Sequence, residues 1–156
     1  MRKTLLMLSG IPGSGKSYWA NCYIKGRENS ICIVSRDKIR FSLLEEDDEY
    51  FAKEKQVVKI FTEQIQKALD DDKYQIVIAD ATHNTYRSRM SLLRRLVLKN
   101  VDVIPVCFNT TLEKCLENNS KRTGRENTPE EAIKFAASIR TEPCNDDFNY
   151  KEYWYV

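Results

Sequence analysis

Near the start of the chain, Gly10-Ile11-Pro12-Gly13-Ser14-Gly15-Lys16-Ser17 matches the pattern G-x-x-x-x-G-K-S/T in full, directly behind the apolar run Thr4 to Leu8. This pairing narrows the folds open to the chain. The run reads as a buried strand, the glycines let successive backbone N–H groups turn toward one point, and the following helix aims the positive end of its dipole there. Such a loop cradles phosphate, with Lys16 as the cation and Ser17 as a magnesium ligand. Gly13, Ser14, Gly15, Lys16, Ser17 and Tyr18 are therefore the candidate nucleotide-binding residues. A dinucleotide fingerprint is disfavoured, because Tyr18 stands where its third glycine is needed.

Behind the loop, apolar runs alternate with amphipathic stretches. The spacing predicts helices from Lys16 to about Lys25 and from Arg36 to about Leu44, and a strand over Ser30 to Val34. A long helix is predicted from Tyr50 to Leu69, with Phe51, Val57, Val58, Phe61, Ile65 and Leu69 on its buried stripe. Gln75 to Ala79 reads as a third strand, Tyr86 to Lys99 as a helix burying Met90, Leu93 and Val97, and Val101 to Phe108 as a fourth strand. Capping-box spacings at Thr110-Thr111-Leu112-Glu113 and Thr128-Pro129-Glu130-Glu131 predict helices ending near Lys121 and Arg140. Tyr150 to Val156 is aromatic and β-prone, either a last strand or a packed tail. Repeated strand-helix units of this length predict an α/β protein with a parallel sheet, helices on both faces and right-handed crossovers.

A chain of 156 residues fits one domain, 1–156, and can bury a core without disulfides. Its five cysteines are odd in number and lack C-x-x-C spacing, which predicts a reducing, cytoplasmic setting. One histidine and dispersed thiols argue against zinc, and Thr4 to Leu8 is too short to span a bilayer. The net charge of +2 does not by itself mark a nucleic-acid binder, but its distribution is uneven. Between His83 and Asn100 there is no acid, while Arg87, Arg89, Arg94, Arg95 and Lys99 are basic; acids gather at Glu45 to Glu49 and Asp70 to Asp72.

In open parallel sheets, ligands bind beyond the carboxyl ends of the strands. The second strand leads into Ser35, Arg36, Asp37 and Arg40, and the third into Asp80 through Arg87. Asp80 closes Ile76-Val77-Ile78-Ala79, a hydrophobic strand plus carboxylate that can hold magnesium opposite Ser17. Asp37 is placed to take the proton of an attacking hydroxyl, with Arg40 on the same helical face. The polar loop at about 118–129 carries Lys121, Arg122, Gly124 and Arg125 between two helices and has the makings of a lid that brings Arg122, and Arg125 behind it, to the donor phosphates. His83 is a loop residue that need not serve as base while Asp37 is available.

Four segments, Gly10 to Ser17 with Tyr18-Trp19-Ala20, Ser35-Arg36-Asp37-Lys38-Ile39-Arg40, Asp80-Ala81-Thr82-His83-Asn84-Thr85-Tyr86-Arg87 and Asn119-Ser120-Lys121-Arg122, together resemble the kinase domain of the polynucleotide 5′-kinase family, a branch of the P-loop kinases, over nearly the whole chain. The resemblance implies a three-layer fold with a sheet of four to five strands in the order 2-3-1-4. It also implies ATP or GTP with Mg²⁺, and a 5′-hydroxyl end of RNA or DNA as acceptor. By the same resemblance Asp37 is the general base, Lys16 and Arg122 stabilise the moving phosphoryl group, Arg40 holds an acceptor phosphate, and Asn84 and Arg87 line the acceptor site. This chain departs from the family pattern at Thr82, often Asn, and at Arg87-Ser88, often two arginines. The scaffold also serves kinases of sugars, nucleosides and antibiotics, and nucleotide-dependent binding modules. A GTPase switch is disfavoured by the lack of N-K-x-D and D-x-x-G.

Overall fold

In the computed structural model, which describes residues Met1–Val156, the apolar runs become five parallel strands. They are β1 (Lys3–Ser9), β2 (Ile31–Ser35), β3 (Ile76–Asp80), β4 (Val101–Cys107) and β5 (Trp154–Tyr155), ordered β2-β3-β1-β4-β5. The helices are α1 (Lys16–Ile24), α2 (Arg36–Leu43), α3 (Glu54–Asp70), α4 (Tyr86–Leu93), α5 (Leu112–Ser120) and α6 (Glu130–Ser138). The order predicted for the first four strands is the observed one, and the aromatic tail adds a short fifth strand beside β4.

β1 lies at the centre and is buried on both faces, so its residues sort by strand alternation. Leu5 and Met7 join Val57, Phe61 and Ile65 of α3 and Met90 and Leu93 of α4 in one core. Leu6 and Leu8 join Ala20 of α1, Phe108 and Ile104 in the other, against which Trp19 packs. Parallel register brings Ser35 level with Asp80 and Ser9 level with Cys107, so all the strands discharge their loops along one edge of the sheet. On that edge Gly10 N–H donates to the Thr82 carbonyl and Ser9 Oγ to the His83 carbonyl, which ties the phosphate loop to the loop after β3.

Several predicted boundaries move, each for a local reason. Residues 50–53 form a turn rather than the first turn of α3, and Phe51 is exposed instead of core. α4 ends at Leu93: the Arg95 and Leu96 N–H groups take tightened bonds three residues back, and Gln66 Oε1 of α3 accepts from Val97 N–H at 2.8 Å. Leu96 is buried in the position expected for Val97, which faces solvent. α5 is capped by Thr111, whose Oγ1 accepts from Lys114 N–H, while Thr110 Oγ1 donates to the Ser14 carbonyl of the phosphate loop. Thr128 caps nothing; it is buried, and α6 starts on Pro129 without a side-chain cap.

Arg89, one of the basic residues of the acid-free stretch between His83 and Asn100, is fully buried. It donates to Asp147 Oδ2 at 2.8 Å and to the carbonyls of Thr141 and His83, pinning the segment that leads to β5. β5 is held further by Trp154, whose ring stacks on Tyr23 at 5.9 Å. No helix is long and apolar enough to cross a membrane.

Candidate active site

Gly13 and Gly15 hold φ of 87° and 96°, the left-handed region that lets the loop curl over the start of α1. The N–H groups of Gly13, Gly15, Lys16, Ser17 and Tyr18 make no backbone hydrogen bond within the fold. They form a concave set of donors at a helix N-terminus, the arrangement that receives phosphate oxygens. The Tyr18 side chain points away into solvent, so only its N–H belongs to the cradle.

Lys16 is buried, and its Nζ donates to the carbonyls of Gly10 at 2.8 Å and Ile11 at 3.0 Å. Burial drives its pKa down to about 8, against the pull of Asp80 and Asp37. Beside it Ser17 Oγ donates to Asp80 Oδ2 at 2.7 Å. Burial raises the Asp80 carboxyl, and the Ser17 hydroxyl and Lys16 charge oppose that rise. A hydroxyl and a buried carboxylate are hard oxygen donors of the kind magnesium selects while keeping several of its waters.

A cavity of about 200 Å³ opens over this pair and extends to Asp37, Arg36, Arg40 and Arg122. Asp37 enters it because β2 ends at Ser35, whose Oγ accepts from Lys38 N–H and starts α2 there. The Asp37 side chain is half exposed and ion-pairs with Arg40, one helical turn on. Arg40 is buried, and all its N–H groups are engaged: Nε and Nη2 on both oxygens of Glu54 at 2.7–3.0 Å, Nη1 on Asp37 and the Tyr50 hydroxyl. Arg40, expected to hold an acceptor phosphate, lines the cavity, and in this arrangement its donors hold Asp37, Tyr50 and Glu54.

Arg36 takes the opposite position. Its guanidinium lies over the Phe61 ring at 4.7 Å and lines the cavity, yet its buried Nε has no hydrogen-bond partner. A guanidinium left unpaired beside an open cavity is a binding group for an anion.

The loop expected to act as a lid is stapled at its ends. Asn119 bonds both ways with Thr128, Nδ2 to its carbonyl at 2.8 Å and Oδ1 from its N–H at 2.9 Å, closing the loop that carries Arg122. Asn118 Nδ2 donates to the Gly13 carbonyl at 2.9 Å, joining α5 to the phosphate loop. Arg122 lines the cavity close enough for its charge to depress Lys16.

Three expected residues lie elsewhere. Arg125 donates to the Leu44 carbonyl at 2.6 Å and lines a separate hollow near Glu46 and Asp48, tying its loop to the end of α2. Asn84 is buried and spends its amide on the Ala136 carbonyl of α6. Arg87 lies on the outer side of α4, outside the cavity. Conversely Tyr50, Glu54 and Thr128 line the cavity without any local signal for it, since each arrives from an element far along the chain. Arg36 was adjacent to Asp37 in the sequence, but its lack of a partner is legible only in three dimensions.

His83 is fully buried at φ 38°, with Nδ1 2.9 Å from the Leu8 carbonyl, so Nδ1 carries the proton. Burial, with the Arg36 charge next, drives its pKa down to about 3. It is a neutral structural group and not a base.

Among solved structures the chain resembles a component of the Pnkp1/Rnl/Hen1 RNA repair complex, with TM-score 0.72 and 26% identity, covering 88% of this chain and 44% of that one. This chain therefore spans less than half of that relative's length. A fungal RNA kinase shares the fold with TM-score 0.68 and 14% identity, over 100% of this chain and 74% of that one. A sugar kinase from Janibacter shares it with TM-score 0.60 and 14% identity, over 100% and 85%. No curated protein sequence matches. The parallel sheet in 2-3-1-4-5 order is the P-loop kinase fold, and with residues 5–141 matching the family profile described as AAA domain, AAA_33, the chain belongs to that nucleotide-binding P-loop family.

Proposed function

We propose that this chain transfers the terminal phosphoryl group of ATP or GTP to the 5′-hydroxyl end of RNA or DNA. The observation that carries the reading is the shared cavity: the half-exposed Asp37 carboxylate faces the same space as Lys16, Ser17, Asp80 and Arg122. Phosphoryl transfer needs positioning and charge stabilisation more than covalent help from the protein. The cradle N–H groups and Lys16 hold the donor phosphates. Ser17 and Asp80 would hold Mg²⁺, which when bound neutralises charge on those phosphates. Asp37, directed by Arg40, orients the hydroxyl and accepts its proton as the bond to phosphorus forms and the bond to the leaving oxygen breaks. Arg122 meets the charge spread over the migrating group. The unpaired Arg36 is the cation suited to the first phosphate of the acceptor.

The RNA repair component and the fungal RNA kinase among the structural relatives support a nucleic-acid acceptor. A small-alcohol kinase is the second reading, favoured by the modest cavity and by the sugar kinase relative. Incubation with γ-labelled triphosphate, magnesium and 5′-hydroxyl RNA and DNA oligonucleotides separates them. The expected result is label at the 5′ end; label on a sugar or nucleoside and on neither nucleic acid overturns the reading.

Lys16 makes donor binding pH-dependent. With its pKa near 8 in the free protein, it must be protonated to face phosphate, and a bound triphosphate pulls its pKa back up. Affinity is then level below pH 8 and falls above it, by about tenfold from pH 7 to pH 9, with proton uptake on binding. Calorimetry in buffers of different ionisation enthalpy reads both, and a flat profile through pH 9 would contradict the buried, depressed lysine.

A further inference from the structure

On the outer face of α4 a second concavity, about 290 Å³, is formed by Tyr86, Arg87, Met90, Ser91, Arg94 and Arg95. Its three arginines are exposed, and none is ion-paired to a carboxylate. The one side-chain hydrogen bond among them is Arg94 Nη2 to the Tyr86 hydroxyl at 3.3 Å, which sets an exposed aromatic ring beside the cations. No carboxylate lines the hollow, and the chain holds no acid from His83 to Asn100. Elsewhere on the surface the cations are often neutralised locally, as Lys134 is by Glu130 and Glu131. An uncompensated arginine cluster with an aromatic neighbour is complementary to a strand that presents phosphates and base faces together.

Its place in the fold gives this surface a direction. Thr82 lines the catalytic cavity, and Tyr86 opens α4 four residues later, so the hollow begins where the loop after β3 leaves the site. From Arg87 to Arg94 the helix rises roughly 10 Å at 1.5 Å per residue, room for roughly two or three phosphates at the 3.4 Å axial spacing of a stacked strand.

We propose that the outer face of α4 is a binding track for the phosphodiester backbone of the acceptor strand, downstream of the 5′ end held in the catalytic cavity. This rests on the nucleic-acid reading of that cavity. The track sets affinity for long acceptors and takes no part in the bond-making step.

The test compares a 5′-hydroxyl dinucleotide with a 12-nucleotide single strand, using the full chain and the exposed double substitution Arg94→Gln/Arg95→Gln. Thermal melting checks that the fold is kept. The expected result is a KM for the 12-mer raised about tenfold at low salt, with the salt slope of binding reduced by about 1.4 for two lost contacts at 0.7 each. The dinucleotide KM and both kcat values stay level, and Arg94→Glu/Arg95→Glu exaggerates the effect. Binding of a 5′-phosphorylated 12-mer, followed by fluorescence anisotropy, gives the same slope without any turnover. An unchanged slope in the double variant overturns the track even where the dinucleotide is phosphorylated. A weakened slope with no phosphorylation of any strand leaves the track standing and removes the kinase reading instead.

Discussion

Asp37→Asn lowers the rate of phosphoryl transfer by a factor of about 10²–10⁴ and leaves donor affinity within about twofold. The substitution keeps the shape and one acceptor oxygen, so Arg40 retains a partner there, and Glu54 still holds the rest of its guanidinium. What is lost is the capacity to take up a proton and the negative charge that orients the hydroxyl. Single-turnover rates with saturating oligonucleotide measure the first effect, and titration of a fluorescent nucleotide measures the second. A parallel collapse of nucleotide binding would show that Asp37 serves the donor cradle and not the acceptor.

Among the glycines, Gly13→Ala is the most damaging change to alanine. A Cβ at this position would lie 2.4 Å from the backbone carbonyl oxygen of Cys115, at φ +87°. Backbone cannot swing aside as a flexible side chain does, and α5 is fixed there by the fully buried Cys115 and by Asn118 bonded to the Gly13 carbonyl. The expected loss is about 2–4 kcal/mol of stability, a fall of roughly 5–15 °C in Tm for a domain of this size, together with loss of nucleotide binding as the loop and α5 separate. Gly15→Ala is the control: its Cβ would meet open space, so only backbone strain of about 1–2 kcal/mol remains. Melting curves that fall equally for the two variants would rule out the clash as the cause.

The contrast between these glycines shows where sequence reading reached and where it stopped. Both were legible as phosphate-loop residues, because the motif encodes local backbone geometry. That one of them seats a neighbouring helix was not, since Cys115 is far along the chain. The same division runs through the site. Lys16 and Ser17 were readable from the phosphate-loop motif behind β1, Asp37 because it lies two residues past β2, and Asp80 because it ends β3; parallel strands in register must deliver their ends to one edge. Arg122 also converges there, carried by the loop that Asn119 and Thr128 close. Arg125 and Asn84 have the composition of site residues but are consumed by carbonyls of α2 and α6. Spacing could not separate Arg40 from Arg36 either: the difference lies in Glu54, which satisfies the first and leaves the second free.

By itself the sequence determined the strand-helix alternation, the parallel sheet and the phosphate cradle, because these follow from hydrophobic period and from backbone freedom over a few residues. Only the tertiary structure decided which charges face the cavity unpaired, which are locked inside the protein, and which form the open arginine face of α4. Those outcomes depend on partners brought together from distant segments, and a buried or exposed charge takes its role from the groups that surround it.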